Sequence, residues 1–471
     1  PAVVAPEEFN LGDSENPRVA PAFAAYQAGA LPEALELLPR PVGDEAAPLR
    51  FFRAAVLLAA GRVAAARTQL QELPPAHSGR RALERLIAAV TGSEATGDNP
   101  LSTASLALAE SYYQQSRHNL PAARAAAQRA AALAPAGGFA LVRLAELEFS
   151  FGRTRAASAA LDRALTHVPR HAQAHSLRGF LLSADHRIAE ARAAFELALS
   201  LDGGLGQAWL GLGLTKIKQG DLSAGRADLQ TAAVVEPTRS FFYSYHAKAL
   251  GESSWPALAR KDLLLARQLD PADPTPRLYS ALQDQSENRY NSAIAEMLES
   301  IRLNDNRRLY RSQFLLDEDR AVRSANQARL FQQNGMPDTA VREAARAVES
   351  DYTNASAHQF LADSFDHLRD PDRNSLRFET AWFNEQLLAA LLSPVGGGPL
   401  SQFVSQQEFS GMFERDRRGG SVISEWRSDG RIDSQASLFS TSGRTSLGFD
   451  LAHFRNRGSR PDNATERVEA Y

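Results

Sequence analysis

Along most of the chain the apolar positions recur at helical spacing, and that pattern itself repeats every 34 residues. Small residues keep one phase at Ala123, Ala157, Ala191, Gly225, Ala259 and Ala293. Four residues after each stands Ala127, Leu161, Phe195, Leu229, Leu263 or Met297. Seven after come Ala130, Ala164, Ala198, Ala232 and Ala266, and Ser300 breaks the run. Twelve before each lies a second small residue: Ser111, Ala145, Gly179, Gly213, Ala247 and Ala281. Proline falls at 135, 169, 237 and 271, with Gly203 in the vacant slot. A 3.6-residue spacing predicts helices. Two small residues per period let a pair of helices approach closely while larger ones fill the space between pairs. A glycine such as Gly220 suits the left-handed residue that ends a first helix. The proline stops the second helix. Residues 102–305 are therefore expected to form six helix pairs.

This spacing resembles the tetratricopeptide repeat, an antiparallel helix pair per unit. The fullest match is Trp209, Leu212, Gly213, Gly220, Gly225, Leu229, Ala232 and Pro237. The resemblance extends both ways. Residues 1–91 read as divergent helical repeats, with Ala22, Gly29, Ala34 and Leu38 in one unit and Ala54, Gly61, Ala66 and Leu70 in another. Arg80 to Thr91 reads as a lone helix. Residues 306–392 hold an insertion around Leu309 to Ala321 and two further units. The first is marked by Ala328, Ala340, Ala344 and Ala347, the second by Leu361, Ala362, Asn374, Phe378 and Ala381.

Residues 393–418 read as a linker, opened by Ser-Pro-Val-Gly-Gly-Gly-Pro-Leu. From residue 419 to 471 the period changes to two, which predicts strands. Val422, Ser424 and Trp426 alternate with Ser421, Ile423 and Glu425; Thr445, Leu447, Phe449 and Leu451 alternate with Ser446, Gly448 and Asp450. Asp429-Gly430 and Ser442-Gly443 mark turns, and Arg455 to Thr465 a longer loop. Strands of this length, apolar on one face and joined by short and then long connections, resemble the opening of an outer-membrane β-barrel. Leu447, Phe449 and Leu451 would face lipid. Four strands cannot close a barrel, so more are expected beyond Tyr471 or from neighbouring subunits. Half-buried strands of a small soluble sheet alternate in the same way, and that alternative stays open.

The fold class expected is thus mainly α, a superhelix of tetratricopeptide type followed by an antiparallel β segment that is part of an outer-membrane barrel. The architecture resembles exopolysaccharide export porins of Gram-negative bacteria. That resemblance implies a periplasmic scaffold joined to an outer-membrane pore, with polymer export or envelope assembly as its role. The rival reading is a soluble interaction adaptor, cytoplasmic in one version, with a small β cap.

Composition changes this picture little. With 52 basic and 55 acidic residues the net charge is −3, which speaks against a nucleic-acid partner. The absence of cysteine excludes disulfides, thiolate metal sites and a Cys nucleophile. Pro1 in place of Met is expected of a processed or excised chain. The most apolar helical stretch, Phe51 to Ala60, is far shorter than the ~18 residues of a spanning helix.

Candidate chemistry is sparse. His167, His171 and His175 have metal-like spacing, but Pro169 separates the first from the others, so polar helix ends are the expectation. Asp317, Glu318 and Asp319 suit the first turn of a helix. Gly396-Gly397-Gly398 lacks the following Lys of a phosphate loop. No enzyme, metal site or cofactor is expected. What remains is a groove. In repeats of this kind the first helix of each pair lines the concave face, which places Tyr112, Phe139, Val142, Phe149, Phe180, Leu210, Leu214, Ile217, Phe241 and Leu278 there. Glu146, Gln173, Lys218, Lys248 and Glu252 lie among them. An apolar, aromatic groove suits a partner helix or peptide, or an extended polymer. Sequence leaves the oligomeric state open.

Overall fold

The computed structural model describes residues 2–11, 18–40, 45–75, 77–94, 101–117, 119–304, 313–368, 380–392, 418–428, 430–442, 445–458, 462 and 464–470. Five helices open the chain after a short 3-10 turn, Pro6–Phe9. They are α1 (Ala20–Gln27), α2 (Leu31–Glu36), α3 (Ala47–Ala59), α4 (Val63–Gln71) and α5 (Ser78–Thr91). The lone helix expected from Arg80 to Thr91 is α5, and it packs on α6 as closely as the two members of a pair pack on each other.

Twelve helices in six pairs follow. The first members are α6 (Ala104–Ser116), α8 (Gly138–Ser150), α10 (Ala172–Ala184), α12 (Gly206–Lys218), α14 (Ser240–Glu252) and α16 (Thr275–Ser286). The second members are α7 (Leu120–Leu133), α9 (Thr154–His167), α11 (Ile188–Leu201), α13 (Leu222–Val235), α15 (Pro256–Leu269) and α17 (Tyr290–Asn304). The second helices begin at 120, 154, 188, 222, 256 and 290, every 34 residues. Pro135, Pro169, Pro237 and Pro271 each stand two residues past a second helix, where a missing N–H costs nothing.

The small residues do what their spacing requires. A Cβ on Gly213 would stand 2.7 Å from the Gly225 carbonyl oxygen, so α12 and α13 touch backbone to backbone. Gly179 and Gly211 leave the space that the Phe195 ring fills. First helices of successive pairs touch one another, α10 with α12 and α14 with α16, to an extent that second helices do not. The first helices therefore line the inside of the curve.

Beyond α17 come α18 (Gln313–Gln333), α19 (Pro337–Ser350), α20 (Ala355–Leu368) and α21 (Ala381–Leu392). The insertion lengthens α18 to 21 residues. Since α18 begins at Gln313, Asp317–Asp319 lie past its first turn, a correction to the first-turn reading. Asn374 and Phe378 lie outside the described residues.

The β segment is a four-stranded antiparallel meander in the order β1-β2-β3-β4. Its strands are β1 (Arg418–Trp426), β2 (Ile432–Ser442), β3 (Thr445–Asn456) and β4 (Thr465–Ala470). Register puts Val422 opposite Ala436 and Ala436 opposite Leu451, and Leu438 opposite Phe449. One face therefore collects Val422, Leu438, Leu447, Phe449, Leu451 and Val468, and all six are exposed. The other face carries Glu425, Asp433 and Arg467 in register.

Candidate functional site: the inner face of the helical array

Three of the ten residues assigned to the groove remain accessible: Tyr112, Phe149 and Phe241 are half-buried. The other seven, Phe139, Val142, Phe180, Leu210, Leu214, Ile217 and Leu278, lie within the core at 5% exposure or less. The expectation of a continuous apolar groove is corrected accordingly. Two causes are visible. Over α10 to α16 Phe180 and Ile217 pack on the second helices of their own pairs, against Phe195 and beside Gly225, and Leu210, Leu214 and Leu278 are sealed in the same apolar cluster. Over α6 and α8 the chain's own N-terminal residues cover the face. Ala2, Val3, Val4, Phe9 and Tyr26 share one apolar cluster with Leu108, Phe139 and Val142.

That cover is held by specific bonds. The Ala5 N–H donates to Ser105 Oγ at 2.9 Å, and the Ser105 N–H donates to Glu8 Oε1 at 3.0 Å. Tyr26 Oη donates to the Val4 carbonyl at 2.9 Å, and its ring meets Phe139 edge-on with centroids 5.2 Å apart. Further along, the Arg170 N–H donates to the Ala28 carbonyl at 2.9 Å, and Arg170 pairs with Glu33. Burial pushes the Tyr26 phenol well above its ordinary range.

Next to this covered stretch lies a polar cluster. Arg143 is buried, pairs with Glu146 at 2.6 Å, and donates to Ser111 Oγ at 3.0 Å and to Gln115. Its guanidinium lies 4.0 Å from the centroid of the Tyr112 ring. An Arg at a position flanked by Val142 and Leu144 is the sequence signal that could have revealed this cluster. Further on, Phe241 stacks obliquely on Phe242 at 4.2 Å with Arg239 5.7 Å away, and Lys248 pairs with Glu252 at 2.6 Å. Lys218 and Gln173 are half-buried. The accessible inner face is thus polar and aromatic, suited to hydrogen bonding and ring stacking.

His171 and His175 are held by contacts within the fold. His171 is the N-cap residue of α10, buried against Phe139 with ring centroids 5.4 Å apart. Burial above all lowers its pKa to about 3. His175 Nε2 hydrogen-bonds the Pro169 carbonyl at 2.7 Å. Among the described residues no three of His, Asp or Glu stand together as metal ligands, and no helix is long and apolar enough to cross a membrane. Outside the inner face, a cleft of about 580 Å³ between α4 and α5 is lined by Arg67, Arg80, Arg81, Arg85, Glu84 and Glu94. Of its arginines, Arg80 pairs with Glu84 and Arg85 with Glu110.

No known family model matches the chain, and no curated protein is similar to it in sequence. Solved structures are similar. The chain resembles the APC/C hetero-tetramer Cut9-Hcn1 at 14% identity, over 84% of this chain and 82% of that one, with a TM-score of 0.52. It also resembles a thermophilic TPR protein of Thermus thermophilus at 18% identity, over 38% of this chain and 98% of that one, with a TM-score of 0.36. A tetratricopeptide repeat protein from Parabacteroides merdae matches at 13% identity, 58% and 96% coverage and a TM-score of 0.38. Identities this low bear on the fold alone. The first of these likenesses, with the helix pairs above, makes this chain a tetratricopeptide-like superhelix followed by a small four-stranded antiparallel sheet.

Proposed function

We propose that the chain is an envelope scaffold of a Gram-negative bacterium, neither an enzyme nor a cofactor carrier. In this reading the helical array stands in the periplasm and takes a protein segment or an extended polymer on its inner face. The β segment is the first part of an outer-membrane barrel, and polymer export or envelope assembly is the role.

The observation that carries the reading is the exposed apolar band on the sheet. Val422 is 77% exposed, Leu447 67% and Phe449 49%, in one contiguous patch. Apolar area left in water forfeits about 25 cal/mol per Å², and a patch of this kind marks a contact surface. The opposite face carries Glu425, Asp433 and Arg467 with Phe454 among them, and on the apolar face the charges Arg455 and Glu466 lie at the end of the band beside Trp426, an arrangement that fits strands between lipid and lumen. Trp426 stands at one end of the band, the place of an interfacial aromatic. The outer edges of β1 and β4 are unpaired within this sheet, and lipid cannot hydrogen-bond an open edge. Connection lengths agree with this. Residues 427–431 and 457–464 link strands at one end, and only 443–444 at the other. Barrels keep short turns on the periplasmic side. The chain arriving from the helical array enters β1 at Arg418, at the end of the short turn, since Arg418 pairs with Ser440.

Fractionation of the natural full-length protein tests this. Recovery in the outer membrane, resistant to high salt and carbonate, is the expected result. Recovery in a soluble fraction would replace the reading with the interaction adaptor carrying a β cap.

A further inference from the structure

Residues 2–9 lie against the start of α6 and the rings of α1 and α3, in one apolar cluster with Phe139 and Val142 of α8, and they are held as a peptide ligand would be. Residues 2–5 run extended into the Pro6–Phe9 turn, with backbone angles at Ala5 of φ −66° and ψ 135°. Two of the contacts that hold this segment reach its backbone: Ser105 Oγ accepts from the Ala5 N–H, and Tyr26 donates to the Val4 carbonyl. Such contacts read an extended chain whatever its side chains. Three further features read sequence. Val3 and Val4 are buried in the apolar cluster with Phe139 and Val142. Glu8 accepts the Ser105 N–H at the start of α6, where the helix's free N–H groups and dipole favour a carboxylate. Phe9 is buried among Phe23, Tyr26, Phe51 and Phe52, with ring centroids 5.0 to 6.2 Å away. A short extended segment that belongs to no sheet is the kind of element that another chain can replace.

We propose that residues 2–9 are a resident ligand of the inner face, and that this site exchanges them for an extended partner segment of the same chemistry. That partner offers two adjacent small or β-branched apolar residues, a carboxylate four places after the second of them, and an aromatic ring at the fifth. The inference rests on the array being a partner-binding scaffold, but not on its membrane placement. The experiment therefore needs no membrane, and a negative result would leave the fractionation outcome untouched.

The probe is a fluorescein-labelled peptide, Ala-Val-Val-Ala-Pro-Glu-Glu-Phe, titrated into the full chain with fluorescence polarisation as readout. Val4→Asp weakens the resident segment and should raise affinity for the peptide at least tenfold over the unmodified chain. Glu8→Ala, a milder change at the rim, should raise it about threefold and serves should Val4→Asp fail to fold. The chain has no cysteine, so Ala5→Cys with Ser105→Cys can form a single disulfide, and the 2.9 Å bond between those residues puts them within its reach. Oxidation of that variant should abolish peptide binding, and reduction should restore it. A peptide with Asp for its second Val and Ala for its Phe should not bind. Affinity unchanged in folded Val4→Asp or Glu8→Ala, or binding that survives the oxidised lock, would overturn the proposal and make residues 2–9 a permanent part of the core.

Discussion

The helical array and the β segment are built on the same device, a periodic apolar face, and they end in opposite states. In α6 to α17 each apolar face is covered by the next pair, so that Phe195, Leu229, Leu263 and Met297 are all buried. In β1 to β4 the equivalent face is bare, and Val422, Leu438, Leu447, Phe449, Leu451 and Val468 are all exposed on it. The array is complete along its length because each unit supplies what its neighbour lacks. The sheet has no such neighbour among the described residues. What the difference teaches is that the array draws its stability from contacts within this chain, whereas the sheet leaves its apolar face without a cover among the described residues.

The largest test of that contrast lies in the array. The Phe195 ring is fully buried, 4.8 Å from Phe180 between centroids, in space that Gly179 and Gly211 leave open. Phe195→Ala should cost about 3–5 kcal/mol of array stability. Urea unfolding followed by helical circular dichroism would show it. A midpoint that does not move would mean that the α10–α12 seam contributes little, and the contrast would fail on the array's side.

The second test addresses the sheet. Leu447→Arg should leave the helical unfolding of the purified chain unchanged within ~0.5 kcal/mol, since the side chain is exposed on the sheet and not part of the helical array. In a membrane the same change at the midplane costs roughly 2–4 kcal/mol and should block barrel assembly. Ser446→Arg, on the opposite face in the register, should assemble. Equal assembly of both variants would remove lipid as the missing cover.

How much of the molecule is legible in its sequence follows from the same contrast. The array can be read because helix pairing is local and the pattern is written six times; Gly213 can be placed against Gly225 from spacing alone. The alternation in β3 is equally local, so its two faces can be assigned. The inner face cannot be read. Exposure of Phe139 or Leu214 depends on the curvature of the whole array and on what lies across it. Phe139 packs on Tyr26, more than 100 positions earlier in the chain, and residues 2–9 have no period that announces them. Arg143 can be noticed between Val142 and Leu144, but only the fold shows that Glu146, Ser111 and Gln115 surround it.

A third test sharpens the boundary between the regular units and the N-terminal cover. At the junction, His171 stands against Gly29 and Phe139, and its Nδ1 has no hydrogen-bond partner among the described residues. Its folded pKa of about 3 lies far below the ~6.5 of the unfolded chain. Below that upper value the unfolded state takes up a proton that the folded state refuses. Stability is therefore fully present above pH ~6.5 and falls as the pH drops towards 3, by at most ~1.4 kcal/mol per pH unit from this group. Other acids titrate in the same window, so the difference from a variant isolates it. His171→Leu should match the unmodified chain at pH 7.5 and exceed it increasingly at pH 5 and pH 4 in urea midpoints. Parallel curves would mean that the junction opens to water.

The smallest test sits within the array, where nominally equivalent positions are not equally finished. Asp221 caps α13, accepting from the Ala224 N–H at 2.9 Å, and Asn119 caps α7, accepting from Ala122 at 3.1 Å. At the same point of the repeat Arg153 and Arg187 precede α9 and α11 with no side-chain cap. A helix start without a capping oxygen leaves an N–H to water, and replacing Asp or Asn at such a site by Ala costs ~1 kcal/mol. Asp221→Ala and Asn119→Ala should each lower stability by about that amount, while Arg153→Ala should change it by well under half as much. Hydrogen exchange at Ala224 and Ala122 would locate the loss at the helix starts. If the Arg and Asp variants instead proved equal, packing between neighbouring pairs would be fixing the helix ends, and the array's stability would depend on its contacts even more completely than the first test supposes.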